Sequence, residues 1–416
     1  MIDLSVKRRI QGSKHFFQNI DQLYHPTGIY KQDSEDLVYG RDIINSTKFV
    51  PILLKEWFAL VEPSGYLVID YQPNEILDWQ TLEEKMWWLW KGKYEIVYHG
   101  PVSGQELKFQ SGSALHSYIG SKEIDIADTT TKRLPDKANG YLRFVCKKTD
   151  PSSIKGDTIN RWTFGIITNG KRADWLEKTI KSIRDQKVPE YEIIICGTIP
   201  PRHDEDIKII NFYHRDDLGW ITRKKNIIAK EARYENLCIV HDRLVFEKDW
   251  FKGMKKWGNN FDHLSCVQKF EEKRINDWEM HEALPGMEFS FVSLMDYRDW
   301  DWLCCEGGQL HILKKHLALK VLWNETYYWG RPEDLRISND LRDIGAILRF
   351  NPWSSFQVMA YRFGTIPSIP FDSMKLSRRR IGDTSRLVSR AIYGYIYKYS
   401  TLKNLMIYIF KKTYNK

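Results

Sequence analysis

Residues 161–170 read R-W-T-F-G-I-I-T-N-G and residues 236–243 read N-L-C-I-V-H-D-R. Residues 162–168 are a short apolar, β-branched run, which marks a buried strand, and Asn169-Gly170 closes it as a turn. Asp174 begins a helix, with Glu177 at capping-box spacing and Leu176, Ile180 and Ile183 on one face. Residues 191–196 give a second buried strand, and residues 206–213 a third, at a sheet edge. Residues 224–235 form a helix with Ile227, Ile228 and Ala232 inward. Residues 237–240 are a fourth strand, ending at His241-Asp242-Arg243. Strand, helix, strand, strand, helix, strand predicts a parallel α/β sheet, and ligands of such sheets sit at the carboxyl ends of the strands. Thr168, Asn169, Thr198 and His241-Asp242-Arg243 then share one crevice.

Downstream lie Gly307-Gly308 and the run W-G-R-P-E-D, Trp329 through Asp334. Adjacent carboxylates behind a Trp-Gly turn suit a general base held over an acceptor hydroxyl, because a carboxylate removes a proton well once oriented within hydrogen-bond reach. The same two residues suit a helix start before Leu335, Ile337 and Leu341. The sequence leaves both readings open.

Taken in order, the first strand and its polar turn, S-I-R-D-Q at 182–186, E-I-I-I at 192–195, R-K-K-N at 223–226 and the strand ending in Asp242 resemble an inverting glycosyltransferase of the GT-A fold, family 2. Gly307-Gly308 and Trp329-Gly330…Glu333-Asp334 resemble the acceptor half of galactosyltransferase-like members. The resemblance covers about residues 160–350. It implies a nucleotide-sugar donor held by Thr168, Asn169, Lys225, Asn226, Asp242, Arg243, Gly307 and Gly308. It implies Asp334 as base, Glu333 on a sugar hydroxyl, and an acceptor against Trp329 and Trp302. Two positions depart from the family. The second strand ends Cys196-Gly197-Thr198, without the Asp that holds the nucleobase. The D-x-D site keeps only Asp242, between His241 and Arg243. Either Asp242 and His241 hold Mn²⁺ or Mg²⁺ against a diphosphate, or Arg243 supplies the charge itself.

The 416 residues allow two domains and an extension. Six cysteines without C-x-x-C spacing read as reduced thiols in a cytoplasmic chain, and Met1 opens a polar stretch with no signal-peptide core. Residues 1–150 are expected to form a separate domain, joined through a polar linker at 151–160 to the donor domain at 161–370. Residues 37–40 read as a strand end, 50–61 as an amphipathic helix, Pro63-Ser64-Gly65 as a turn and 66–70 as a strand. The run L-L-K-E-W-F-A-L-V-E-P-S-G-Y-L-V-I-D, 53–70, resembles the late half of a class I S-adenosylmethionine-dependent methyltransferase. No G-x-G precedes it, which implies a truncated Rossmann-like α/β domain that binds no S-adenosylmethionine.

Residues 371–416 hold eleven basic and two acidic side chains, a surplus equal to the +9 of the whole chain. Val388, Ile392, Ile396, Tyr399, Leu402, Met406 and Phe410 recur every three or four residues. Such a basic amphipathic helix either lies on an anionic membrane surface or docks on its own protein. No apolar run approaches the ~20 residues of a membrane span, and no nucleic-acid-binding module accompanies the charge. The expectation is a peripheral enzyme on the inner face of a membrane, acting on a lipid-linked or polysaccharide acceptor. The alternatives are a non-catalytic partner subunit and a bifunctional glycosyltransferase/methyltransferase.

Overall fold

The computed structural model describes residues 2–3, 24–41, 43–44, 47, 49–74, 77–102, 140–283, 290–301, 303–361 and 368. Trp302 and the basic C-terminal segment lie outside the described residues. The chain forms two compact units, one of residues 1–159, 255–261 and 341–347, the other of residues 160–254, 262–340 and 348–416. Among the described residues no helix is long and apolar enough to cross a membrane.

The first unit is a five-stranded α/β sheet. Its elements are β1 (Ile2–Asp3), β2 (Glu35–Arg41), α1 (Val50–Leu60), β3 (Val61–Tyr71), α2 (Trp79–Trp90), β4 (Tyr94–Pro101) and β5 (Leu142–Lys148). The strand order is β1-β2-β3-β5-β4. The first three run parallel, and β5 lies antiparallel to both β3 and β4. Helix α1 is not amphipathic, contrary to the sequence reading: every residue in it except Lys55 is buried, including Glu56. Glu56 is tolerated there because its carboxylate accepts from Thr27 Oγ1 at 2.5 Å and faces His25. Pro63-Ser64-Gly65 does not separate helix from strand. It forms a bulge inside β3, where Ser64 takes φ 74° and the register against β2 shifts.

The elements that follow are β6 (Arg161–Ile167), α3 (Ala173–Asp185), β7 (Glu190–Gly197), β8 (Ile207–Asn211), α4 (Ile221–Glu231), β9 (Asn236–His241), β10 (Leu244–Phe246), α5 (Trp250–Trp257), β11 (His263–Phe270), β12 (Lys273–Arg274), β13 (Glu279–Ala283), β14 (Ser290–Leu294), β15 (Cys304–Cys305), β16 (Leu310–Lys314), α6 (Lys315–Val321), α7 (Glu333–Asp343) and β17 (Leu348–Val358). They belong to the second unit except for the ends of α5 and α7, residues 255–257 and 341–343, which belong to the first. The main sheet runs β10-β17-β11-β16-β9-β6-β7-β8. Strands β8, β7, β6 and β9 are mutually parallel, with β8 at the edge. From β6 the chain steps outward to β7 and β8, then returns to place β9 on the other side. This reversal opens a crevice beyond the carboxyl ends of β6 and β9. Strand β16 then adds antiparallel to β9, and β11 antiparallel to β16.

Leu176, Ile180 and Ile183 are buried, as their spacing predicted, and each contributes about 1.5–3 kcal/mol by leaving water. Asp174 lies inside the first turn of α3. The N-cap is Arg172, whose side chain makes no capping bond. Helix α4 starts and stops earlier than its apolar pattern indicated, because Ala232 turns to extended backbone. Lys224, Lys225 and Asn226 on it are all buried. Aromatic rings fill the core beneath the sheet: Trp162 meets Trp250 at 5.3 Å, and Phe246 meets Phe356 at 4.7 Å. All six cysteines are buried free thiols.

Candidate active site

The ends of β6 and β7 meet with no room for side chains. A Cβ on Gly170 would come within 2.0 Å of Thr198 O, and one on Gly197 within 2.0 Å of Thr168 O. Gly170 also takes φ 76°, open to glycine at no steric cost. This close approach accounts for the glycines of Asn169-Gly170 and Cys196-Gly197-Thr198. Thr168 Oγ1 donates to Asp242 Oδ2 at 2.6 Å, joining the ends of β6 and β9. Asp242 is buried, and burial pushes its carboxyl up, while Thr168 and the cations Arg172, Arg243 and Lys224 hold it down. Lys224 Nζ donates to Thr168 O at 2.7 Å and to Asp216 Oδ1 at 2.5 Å, and Thr198 Oγ1 donates to Asp216 Oδ2 at 3.1 Å. Asn169 Oδ1 accepts from Lys171 N and so shapes the turn itself.

The second cluster lies one residue along α4. Lys225 Nζ donates to Gly308 O at 2.8 Å and to Glu333 Oε1 at 2.8 Å. Asp334 accepts from Gly308 N at 2.9 Å and from Leu335 N at 2.8 Å. The two acids form the first turn of α7, where the helix dipole favours negative charge. Helix start and carboxylate pair are therefore the same feature. Glu333 is buried, which pushes its carboxyl up to about 6 against the pull of Lys225. Asp334 is half-buried. The glycine pair makes the corner possible: a Cβ on Gly308 would meet Glu333 Oε1 at 2.4 Å, and one on Gly307 would meet Asn276 Cβ at 2.7 Å.

Behind Lys225 stand three further buried groups that the sequence did not single out. His311 Nε2 lies 2.9 Å from Lys225 Nζ, its Nδ1 lies 2.7 Å from Glu306 Oε1, and His263 Nε2 lies 2.5 Å from that same oxygen. Their one signal in the sequence is a histidine inside the apolar run Leu310-His311-Ile312-Leu313.

Asn226 does not face the crevice. Its amide donates to Trp323 O at 2.8 Å and Glu325 Oε1 at 2.9 Å, and its oxygen accepts from Trp323 N. It latches the loop after α6 onto α4, as Arg223 does through Glu325. That loop ends at Trp329, which is 48 % exposed and donates its N–H to Gly219 O. Beside it, Tyr328 and Trp220 lie 5.7 Å apart, with Arg215 over both rings.

Two groups have been weighed as cation sites. Asp242 offers one carboxylate among Arg172, Arg243 and Lys224. Neighbouring His241 is half-buried, and loss of water around its ring together with Arg243 and Lys225 holds it well below its ordinary range, so its ring is neutral. One acid ringed by fixed cations suits an anion better than a divalent metal. The ligand atoms of His263, Glu306 and His311 lie within 4.8 Å of one another. The Lys225 ammonium can only donate, however, so His311 Nε2 accepts and Nδ1 carries the proton given to Glu306. A metal there would displace the protons on that oxygen and sit across one imidazole from a lysine. Neither set fits a divalent ion.

No family model matches the chain, and no curated protein matches it in sequence. Among solved structures it is similar to a mannosyltransferase from Pyrobaculum calidifontis in complex with GDP-Man and Mn²⁺, at 14% identity and TM-score 0.35, over 50% of this chain and 59% of that one. It is similar to S. aureus TarS 1-349 at 12% identity and TM-score 0.32, over 48% of this chain and 60% of that one. It is similar to GalNAc-T7 with UDP, GalNAc and Mn²⁺ at 13% identity and TM-score 0.37, over 52% of this chain and 46% of that one. The chain thus spans less than two thirds of the length of each, and likeness of this extent does not define a family.

Proposed function

We propose that the second unit is a glycosyltransferase that moves a sugar from a nucleotide-sugar donor to an acceptor hydroxyl with inversion. The observation that carries this reading is the pair of consecutive buried lysines on α4. Lys224 reaches the Thr168–Asp242 crevice, and Lys225 reaches the Gly308–Glu333–Asp334 corner. An anion-binding crevice and a carboxylate pair are thereby held one residue apart on a rigid helix. A diphosphate needs the first and proton removal from a hydroxyl needs the second.

The donor diphosphate binds among Arg172, Lys224 and Arg243, where guanidinium groups pair two phosphate oxygens at once. The same cations take up the charge that develops as the diphosphate leaves. Asp334, oriented by two backbone N–H groups, takes the acceptor proton. The oxygen attacks the anomeric carbon in line, and the C–O bond to phosphate breaks on the opposite face. Glu333, pinned by Lys225, fixes a sugar hydroxyl. Trp329 and the Trp220–Tyr328 pair offer flat apolar surfaces to the C–H faces of the acceptor. That acceptor is a lipid-linked or polysaccharide chain, met where the basic C-terminal segment lies on an anionic membrane. The first unit positions the acceptor or a partner.

Replacing Arg243 by Ala tests the donor site. It removes one of the three cations assigned to the diphosphate, so nucleoside diphosphate affinity, read by calorimetry, falls about tenfold, as the loss of one charged hydrogen bond implies, whereas Asp242→Ala, which removes a charge of the same sign as the phosphates, should not weaken it. Unchanged affinity in Arg243→Ala places the phosphates elsewhere.

A further inference from the structure

The carboxylate corner does not stand by itself. Lys225, His311, Glu306 and His263 are each at most 1 % exposed, and they form one hydrogen-bonded line that ends on Glu333. They come from separate elements: Lys225 from α4, His311 from β16, Glu306 from the loop before it, and His263 from β11. The line has a single direction. The ammonium of Lys225 donates three hydrogens, to Glu333 Oε1, Gly308 O and His311 Nε2. His311 passes its own proton to Glu306 from Nδ1, and His263 donates to the same oxygen.

We propose that His311, backed by Glu306 and His263, is a positioning residue that keeps the Lys225 ammonium charged and seated against Glu333, and so presents the Glu333–Asp334 pair to the acceptor. This rests on the reading of that pair as the transfer site.

A buried ammonium stays charged only where its hydrogens find acceptors. Lys225 has three acceptors, and one is an imidazole whose tautomer is fixed from behind by a carboxylate. Such a carboxylate orients a histidine and strengthens it as a base. Burial and the Lys225 charge hold His311 well below its ordinary range, so it remains the neutral acceptor that the lysine requires. Withdrawing that acceptor leaves one N–H of a buried cation unsatisfied. The Lys225 ammonium then loses its seat, and Glu333, without its counter-charge, takes up a proton more readily. His311 is faced by Lys225, Glu306, His263 on β11 and His241 on β9, and the titratable groups that act on Glu333 are Lys225 on α4 and Asp334 on α7. Of these, Lys225 alone donates a side-chain hydrogen bond to it.

The test uses the full chain labelled with ¹³C at the glutamate carboxyl, with the Glu333 resonance assigned by its loss in Glu333→Gln. His311→Gln keeps an acceptor toward Lys225 and should leave the Glu333 midpoint where it is in the native protein. His311→Leu removes the acceptor and should raise the midpoint by about one pH unit or more. His311→Asn, which keeps only the donor toward Glu306, should raise it likewise, and it serves if the leucine variant does not fold. In a turnover assay the acidic limb of the rate should move with the resonance. An unmoved midpoint in both His311→Leu and His311→Asn overturns the proposal. So does one equivalent of tightly bound zinc in the purified protein that is lost in His311→Gln, since the trio would then be a metal site. A midpoint that moves while the acidic limb stays fixed overturns the link to transfer and leaves the seating of Lys225 standing.

Discussion

A single methyl group placed on Gly308 should act on both acids at once. A Cβ there would lie 2.4 Å from Glu333 Oε1 and 3.3 Å from Asp334 Oδ2. Oε1 is the atom held by Lys225 at 2.8 Å, so Glu333 cannot swing away without dragging or losing that contact. Overpacking of this kind costs about 1–3 kcal/mol, and losing the buried pair outright would cost about 3–5 kcal/mol. The smaller figure applies if Lys225 follows, and it lowers Tm by about 2–4 °C per kcal/mol. The effect on rate should be larger in proportion, because a reacting group displaced by ~1 Å loses about 10²-fold. Gly307→Ala is the control. Its Cβ would press on Asn276, at 2.7 Å from Cβ and 2.9 Å from the carbonyl oxygen, and not on the acids. Gly308→Ala should therefore lose turnover at least tenfold more than Gly307→Ala for a comparable fall in Tm, with nucleotide affinity unchanged in both. Equal losses of turnover in the two variants would refute the claim that Gly308 exists to admit the carboxylates.

Asp334→Asn keeps the side chain's shape and removes the base; transfer should fall by about 10²–10⁴-fold with nucleotide binding intact, and a fully active variant would remove Asp334 from that role. Burial holds the Glu306 carboxyl up to about 7, above the ~4.3 of an unfolded glutamate. Between those values the folded chain carries the extra proton, so this residue's contribution to stability declines as pH rises through that window and is level above it. Glu306→Gln should flatten the decline by on the order of 3 kcal/mol in urea melts at pH 5 and pH 8; an equal decline in both proteins would show that Glu306 titrates normally. Removing residues 376–416 should release the protein from anionic liposomes at moderate salt, and a truncated chain that still sediments with vesicles would assign the membrane contact to another segment.

What the sequence carried and what it withheld have separate physical causes. The β6–β9 core and its helix α3 were readable because apolar runs and a 3.6-residue period are local signals, and the crevice followed from strand order alone. Helix α1, buried except at Lys55, reads as amphipathic because Lys55 and Glu56 mimic a polar face. Glu56 is buried against Thr27 and His25, more than twenty residues upstream, and Asn260, 204 residues downstream. The line behind Lys225 was hidden for a related reason. His263 pairs with Leu313 across the antiparallel β11–β16 ladder, which leaves His311, two residues along, its diagonal neighbour on the same face. That juxtaposition depends on β16 adding to the sheet beside β9, and no local pattern announces it. Asn226 shows the converse case. Its place in R-K-K-N implies a donor contact, yet its side-chain hydrogen bonds run to Trp323 and Glu325, and the two lysines before it are the informative residues: Lys224 at the crevice and Lys225, half of the expected pair, at the corner.

The most direct measurement is donor turnover by the purified full chain. A panel of nucleotide sugars, with and without Mn²⁺, would be followed for released nucleoside phosphate and for binding. The account predicts that one donor binds and is slowly hydrolysed without Mn²⁺, that Arg243→Ala weakens its binding, and that Asp334→Asn binds it but does not transfer it. A panel in which no donor binds and none is hydrolysed would contradict the account and leave a non-catalytic partner subunit in its place.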